Sequence, residues 1–210
     1  MKIAVIGAGS VGAALGAGWV RAGHDVTFGV RDTTDAKNIQ LAKDLGAKLA
    51  SVGDAAAGSA VIVLATPWDA TPAALSACGD VTGKIIIDCT NPLKMGAHGL
   101  ELTIGHSTSG VEQLAALAPG AHLIKAFNQT GFGNMAQPAY DGKASVMFVC
   151  GDDADSRATV CRLSSDLGFE TIDAGKLSIA RLLEPLAMLW IHLAFTTELK
   201  RDFAFALLRR

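Results

Sequence analysis

Residues 2–16 read KIAVIGAGSVGAALG. A short apolar run, Ile3–Ile6, passes without a linker into Gly7-x-Gly9-x-x-Gly12 and then into an alanine-rich stretch of helical composition. Alone, a GxGxxG pattern is unspecific; set between a strand and a helix it dictates local geometry. The first glycine permits a tight turn, the second lets backbone approach a pyrophosphate, and the third lets the helix pack on the strand. The first N–H groups of a helix have no intrahelical acceptor, so those near Ser10 and Val11 are free to face phosphates. The expected contacts are Gly7, Ala8, Gly9, Ser10, Val11 and Gly12.

The rest of the chain continues the pattern. Strand-like runs fall at Ile3–Ile6, Val26–Gly29, Ala60–Ala65, Lys84–Asp88, Leu123–Ala126, Ser145–Cys150 and Glu170–Asp173, with a short addition at Lys48–Ala50. Helical patterns lie near 10–22, 35–45, 69–78, 110–117 and 154–167. Asp152 or Asp153 opens the last of these and Gly168 stops it. Alternation of this kind argues for βαβ units. The chain is 50% hydrophobic but only 6% aromatic, which suits parallel strands covered on both faces by Val, Ile, Leu and Ala. The expectation is an α/β, Rossmann-type doubly wound and mainly parallel sheet in one domain, residues 1–210. Helices from about 178 to 210 pack on it or exchange with a partner.

Charge and cysteine usage exclude several classes. A net charge of -2 offers no basic footprint for nucleic acid or an anionic membrane. Cys78, Cys89, Cys150 and Cys161 show no CxxC and no metal spacing, which points to a reducing compartment and to no metal. No signal peptide precedes the first strand, and a cytoplasmic setting is expected. The most apolar segment, 177–195, is interrupted by Arg181, Glu184, Pro185 and His192, so a buried helix or a dimer face is expected rather than a membrane span.

Nucleotide choice depends on the end of the second strand. An Asp or Glu there, about 20 residues past the glycines, marks NAD. Counting alone lands on Asp32, but the strand DVTFG places Val30 in the acid slot, with Arg31 after it. A guanidinium there can clasp a 2′-phosphate with paired hydrogen bonds, helped by Thr33, Thr34 and Lys37, so NADP is favoured. Other strand ends converge on the same edge: Ala65-Thr66-Pro67, Asp88–Pro92 including Asn91, and Ala126 with Asn128. Asp88 is more readily a cap for neighbouring backbone than a base. His192 reads as a packed or dimer-facing residue, Met188 as core rather than a cofactor wall, and Trp68 as either a stacking partner or a cover for the sheet edge.

The stretches IGAGSVG, VRD, ATPWDA, IIIDCTNPL, IKAFNQ, VCGDD and ETIDAGKLSIARLLEPLAMLW follow one another over nearly the whole chain. Together they resemble the NADPH-dependent reductases of the 8-hydroxy-5-deazaflavin coenzyme (coenzyme F420). They are also similar to the NADPH-binding domain of the six-transmembrane metalloreductases. The resemblance implies a nicotinamide domain with no separate catalytic domain. A hydride then passes directly between NADP(H) and a deazaflavin or flavin acceptor, a small-molecule partner. It also implies that Asn128 and Gln129 fix ring edges and that Gly131 and Gly133 give room. No catalytic side chain is then needed, because positioning carries the reaction. The sequence ends at Arg210 without transmembrane helices, so electron transfer across a membrane is not expected. Reduction of a small imine or carbonyl compound, and non-catalytic NADP(H) sensing, are the competing readings. The apolar residues from Leu182 to Phe205 lead to the further expectation of a homodimer through the C-terminal helices.

Overall fold

The computed structural model describes every residue except His98. The first half runs β1 (Lys2–Ile6), α1 (Ser10–Arg21), β2 (Asp25–Val30), α2 (Ala36–Leu45), β3 (Lys48–Ser51), α3 (Val52–Ala57), β4 (Val61–Leu64), α4 (Thr71–Ala77) and β5 (Ile85–Asp88). A hairpin of β6 (Leu93–Gly96) and β7 (Gly99–Leu102) follows, then α5 (Gly110–Leu117) and β8 (His122–Lys125). The remainder is α6 (Phe132–Ala136), the two-residue strands β9 (Ala139–Tyr140) and β10 (Lys143–Ala144), β11 (Val146–Gly151), α7 (Ala154–Asp166), β12 (Glu170–Gly175) and α8 (Ala180–Thr196).

Eight strands form one sheet in the order β12-β11-β8-β5-β4-β1-β2-β3. Six of them, from β8 to β3, are parallel. Alternate residues of each strand feed two core layers. Ile3 and Val5 pack with Leu15 and Trp19 of α1 and Val160 and Leu163 of α7. Ala4 and Ile6 pack with α3, α4, α5 and α8 through Ala55, Leu75, Leu114 and Leu183. This is the doubly wound Rossmann architecture, helices on both faces of a mainly parallel sheet.

The sheet departs from uniform direction at one place. β11 pairs antiparallel with β8, and β12 runs parallel to β11. A parallel return needs a crossover that travels back along the sheet. The five residues of α6 rise only about 7.5 Å. A six-residue strand such as β11 spans about 20 Å. The chain therefore enters β11 from the wrong end for a parallel partner. As a result, the ends of β11 and β12 lie on the sheet edge opposite the glycine motif.

That far edge has its own polar clasp. Arg157 Nε donates to Asp173 at 2.9 and 3.1 Å, and its Nη1 donates to Gly151 O at 2.7 Å. Asp152 Oδ1 accepts from Leu177 N at 3.1 Å, which fixes where the chain turns toward α8. Asp153, rather than Asp152, caps α7, accepting from Ser156 N. The VCGDD and DAGKL stretches are thus absorbed by the start of α8.

The tail after α8 folds back on its own domain. Phe203 stacks on Trp190 at 5.3 Å, and Trp190 Nε1 donates to Phe203 O at 3.1 Å. Val146 N donates to Phe205 O at 2.9 Å, so the tail extends the hydrogen bonding of β11. Trp190, Phe203 and Phe205 are therefore occupied within the chain rather than held for a partner. Leu177–Thr196 is long and apolar enough by composition to cross a membrane. In this fold it lies along the sheet, with Leu183, Glu184 and Ala187 buried against it.

Candidate cofactor site

β1 delivers Gly7 at φ +105°, where a side chain would be strained, and Gly7 N donates to Gly29 O of β2 at 3.0 Å. A Cβ on Gly12 would sit 2.0 Å from Gly7 O, so α1 rests directly on the turn. Gly9 is different: a Cβ there would meet nothing within 4 Å. Protein packing does not require that glycine, whereas a pyrophosphate lying on the backbone does. Gly9 is also the N-cap of α1 and supplies no side-chain hydrogen bond. The cap thus leaves the first N–H groups of the helix, including those of Ser10 and Val11, for an anion. The residues present fit a dinucleotide phosphate.

A cavity of about 520 Å³ opens from this turn along the strand ends. Gly7, Ala8 and Gly9 line it on one side, Ala65, Thr66 and Pro67 on another, and Val30, Arg31 and Asn38 at its far end. Its size is that of a typical ligand cleft. Ala65 N donates to Ile6 O at 3.0 Å, which locks the β4 end beside the glycine turn. Thr66 is held by Thr71 at 2.9 Å. Trp68 packs over Gly110 at the start of α5, so it covers the sheet edge.

The second strand runs one residue further than DVTFG. Val30 is its last residue and is 7% exposed; Arg31 follows, exposed, on the cavity wall. Asp32 also lines the cavity, with one carboxylate oxygen bonded within its own loop. Its Oδ1 accepts from Thr34 N at 2.8 Å and Thr34 Oγ1 at 2.6 Å, and these bonds hold its carboxyl below the usual range. Asp35 caps α2 through Lys37 N and Asn38 N. Asp32 and Asp35 both line the cavity, and in each one oxygen, Oδ1, is taken up by its own loop or helix start.

On the same edge of the sheet, beyond the cavity's lining, the strand termini of β5 and β8 meet α8. Asn91 Nδ2 donates to Asn128 O at 2.8 Å, and Asn128 Nδ2 donates to Asn91 Oδ1 at 3.0 Å and to Leu183 O at 3.1 Å. Asn128 is 4% exposed and its Oδ1 has no partner among the described residues. Between β8 and Asn128 the chain passes Phe127, a fully buried residue at φ 60°. A bulky residue in that region costs of order 1–3 kcal/mol and persists because its surroundings hold it. Here Trp19 meets the ring edge-on at 5.7 Å.

Several expectations are corrected at this end. Ala126 has no exposed surface and packs in the core, so it offers the crevice nothing. Gln129 is buried and trades hydrogen bonds with the Phe148 backbone, donating at 2.9 Å and accepting at 3.3 Å. It serves as a strand-edge clamp, not a ring contact. Gly131 makes room for Trp190, whose ring would lie 2.5 Å from a Cβ. His192 is exposed on α8, which sets aside packing within the chain and leaves the dimer-facing reading. Asp88 does cap its neighbour, as Thr90 N and Oγ1 donate to its Oδ1 at 2.9 and 2.7 Å.

Two residues of this region escaped the sequence reading. Lys125 is fully buried and donates to Asp88 Oδ2 at 2.7 Å, Thr90 O at 2.7 Å and Glu184 Oε1 at 2.8 Å. Glu184, 1% exposed, also accepts from Gly110 N at 2.9 Å and Val111 N at 3.3 Å. Burial alone would lower the pKa of the Lys125 ammonium; the two carboxylates outweigh it and hold the group above the ordinary lysine value. Desolvating such charges costs several kcal/mol per ion and is offset only when every donor is satisfied. The signal was present: β5 ends in Asp, β8 ends in Lys, and the two are register partners. The thiols add no chemistry. Burial pushes Cys78 up to about 11 and Cys150 up to about 12.

A glycine turn on a helix start, a cleft at parallel strand ends and a cationic residue past the second strand define a dinucleotide-binding oxidoreductase domain of the NADP type. Residues 2–92 match the family model described as NADP oxidoreductase, coenzyme F420-dependent. The structure of a protein from Arthrobacter sp. FB24, proposed to be an F420-dependent NADP-reductase, superposes with a TM-score of 0.89 at 34% identity, each chain covered over 100% of its length. The chain therefore belongs to the F420-dependent NADP oxidoreductase family. It is also 28% identical over 190 residues to the metalloreductase STEAP3 of Rattus norvegicus. It spans 89% of its own length there but 36% of that relative. A reductive aminase from Aspergillus terreus in complex with NADPH shares the fold, with a TM-score of 0.68 at 24% identity over 92% of this chain and 61% of that one.

Proposed function

We propose that the protein is a soluble, cytoplasmic NADPH-dependent oxidoreductase that passes a hydride between NADP(H) and a deazaflavin or flavin. One observation carries this reading. At the nicotinamide end, every ionisable side chain on the strand termini is already spent. Asp88, Lys125 and Glu184 are buried and bonded to one another. A carbonyl or imine substrate requires a proton donor as well as a hydride. Transfer from the nicotinamide ring to C5 of a deazaflavin or N5 of a flavin requires alignment, which can supply effective molarities of order 10⁵–10⁸ M, and the ring can take its balancing proton from water. Anaerobic NADPH oxidation with deazaflavin, FMN, FAD and no acceptor tests the proposal. Tight NADPH binding without turnover on any of them would favour a sensing role instead.

The same observation predicts that no single side chain is an essential acid or base. Asp88→Asn, His192→Ala and Asn128→Ala should each retain hydride transfer, with losses traceable to binding and alignment rather than to proton transfer. General acid–base groups supply about 10²–10⁴-fold. A single-turnover loss at the upper end of that range, with nucleotide affinity intact, would contradict transfer by positioning.

A homodimer through α8 belongs to the proposal, on a narrower seam than the sequence suggested. With Trp190 and Phe203 occupied internally, the unpartnered face is Leu182, Leu186, Leu189 and Leu193. Leu182 is 66% and Leu189 48% exposed, and the other two are half-buried. Their four-three-four spacing is that of a helix seam that packs against its own copy. Light scattering at micromolar concentration should give twice the mass of one chain, and Leu182→Glu with Leu189→Glu should give one. A monomeric wild type would reject the dimer.

A further inference from the structure

We infer that Lys125 is a positioning residue for the nicotinamide end of the site, setting the Asn91–Asn128 amide pair between β5, β8 and α8. The inference rests on the NADP(H) reading above.

Two side chains of one short segment grip the same two neighbours. Lys125 Nζ takes Thr90 O on one side and Glu184 Oε1 on the other. Asn128 Nδ2, three residues on, takes Asn91 Oδ1 and Leu183 O. Thr90 and Asn91 are adjacent, and so are Leu183 and Glu184. The end of β8 is thereby cross-tied twice to the loop after β5 and twice to α8. All three N–H directions of the ammonium are used, so it can hold no substrate and act on none. Its contribution is to fix the Thr90–Asn91 peptide and the height of α8 over the crevice. Phe127, strained between the two ties, leaves Asn128 little freedom to find another place.

Stability alone does not call for these charges. A buried ion pair or triad replaced by well-packed hydrophobic residues of similar volume is often no less stable. The arrangement carries one ammonium and two carboxylates, and the surplus negative charge faces the first N–H groups of α5 at Gly110 and Val111. Every oxygen and hydrogen has a defined direction. A network of this kind specifies geometry more than it adds stability.

The test separates the two halves of the nucleotide. The charge-free triple variant Asp88→Asn, Lys125→Met, Glu184→Gln keeps acceptors for Thr90 and Gly110 while removing every buried ion. Calorimetry is run with NADPH and with 2′,5′-ADP, which lacks the nicotinamide. The expected result is 2′,5′-ADP affinity within twofold of wild type, NADPH affinity reduced tenfold or more, and kcat reduced further than KM changes. Unchanged affinity for both ligands would overturn the inference, and so would equal losses for both, which mark a general structural role. If the triple variant does not fold, Glu184→Gln alone is read by the same criteria. A wild-type chain that binds neither ligand would overturn the NADP(H) reading and this inference with it. That outcome differs from the others because it appears before any substitution.

Discussion

Gly12→Ala should abolish measurable NADPH binding, a loss above about 100-fold, and should lower the melting temperature. The added methyl would sit 2.0 Å from Gly7 O and 3.2 Å from Val5 Cγ1. The first contact is backbone, so relief requires α1 to lift from β1 and the Gly7 turn to move with it. Overpacking of this kind costs about 1–3 kcal/mol and at times more. In a chain of this size each kcal/mol corresponds to roughly 2–4 °C. Gly9→Ala provides the contrast. Its methyl meets no protein atom within 4 Å, so its melting curve should match wild type while its NADPH binding falls comparably. The pair separates a glycine the fold needs from one the ligand needs. Calorimetry with NADPH and thermal melts of the ligand-free variants decide it. A Gly12→Ala protein that binds NADPH normally would show that the turn is not the phosphate site.

How far the sequence could be read follows from where the information lay. The strands β1, β2, β4 and β5 were legible because both faces are covered, and their apolar runs end in glycine, arginine or polar residues. The register of the second strand was legible too, so Val30 rather than Asp32 fell in the acid slot. The direction of β11 was not. Periodicity gives a strand and its faces, never its sense, and only the brevity of α6 and its flanking turns forces the reversal. α3, α6 and the β6–β7 hairpin were also missed, as short elements made by tertiary contact rather than by pattern. In the site, Lys125 escaped because a lysine closing an apolar run reads as the exit to solvent. Its partner Glu184 lies 59 residues away, and on a helix its charge read as an interruption of an apolar face. The roles of Gln129 and Gly131 depended on Phe148 and Trp190, and no local reading supplies such contacts.

Arg31→Ala should weaken NADPH roughly 10- to 100-fold and leave NADH nearly unchanged. The range follows from the roughly 1.5–3 kcal/mol that a charge-assisted hydrogen bond contributes. Arg31 is the residue after β2, exposed on the wall of the 520 Å³ cavity. Its two acidic neighbours are each bonded locally through one carboxylate oxygen. Asp32 is folded around Thr34, and Asp35 is bonded to the first turn of α2. Val30 stands at the end of β2, where NAD-binding proteins carry an acid, and the nearest carboxylate, Asp32, has one oxygen held by Thr34. The preference for NADPH expected from this arrangement rests on attraction to the phosphate, so removing the guanidinium should weaken NADPH and not NADH. Because the contact is exposed, the wild-type preference should shrink as salt rises, and the Arg31→Ala protein should lose most of that salt dependence. Titration of both nucleotides at two ionic strengths settles the point. Equal losses for NADPH and NADH would place Arg31 on a part of the nucleotide common to both and would end the NADP assignment.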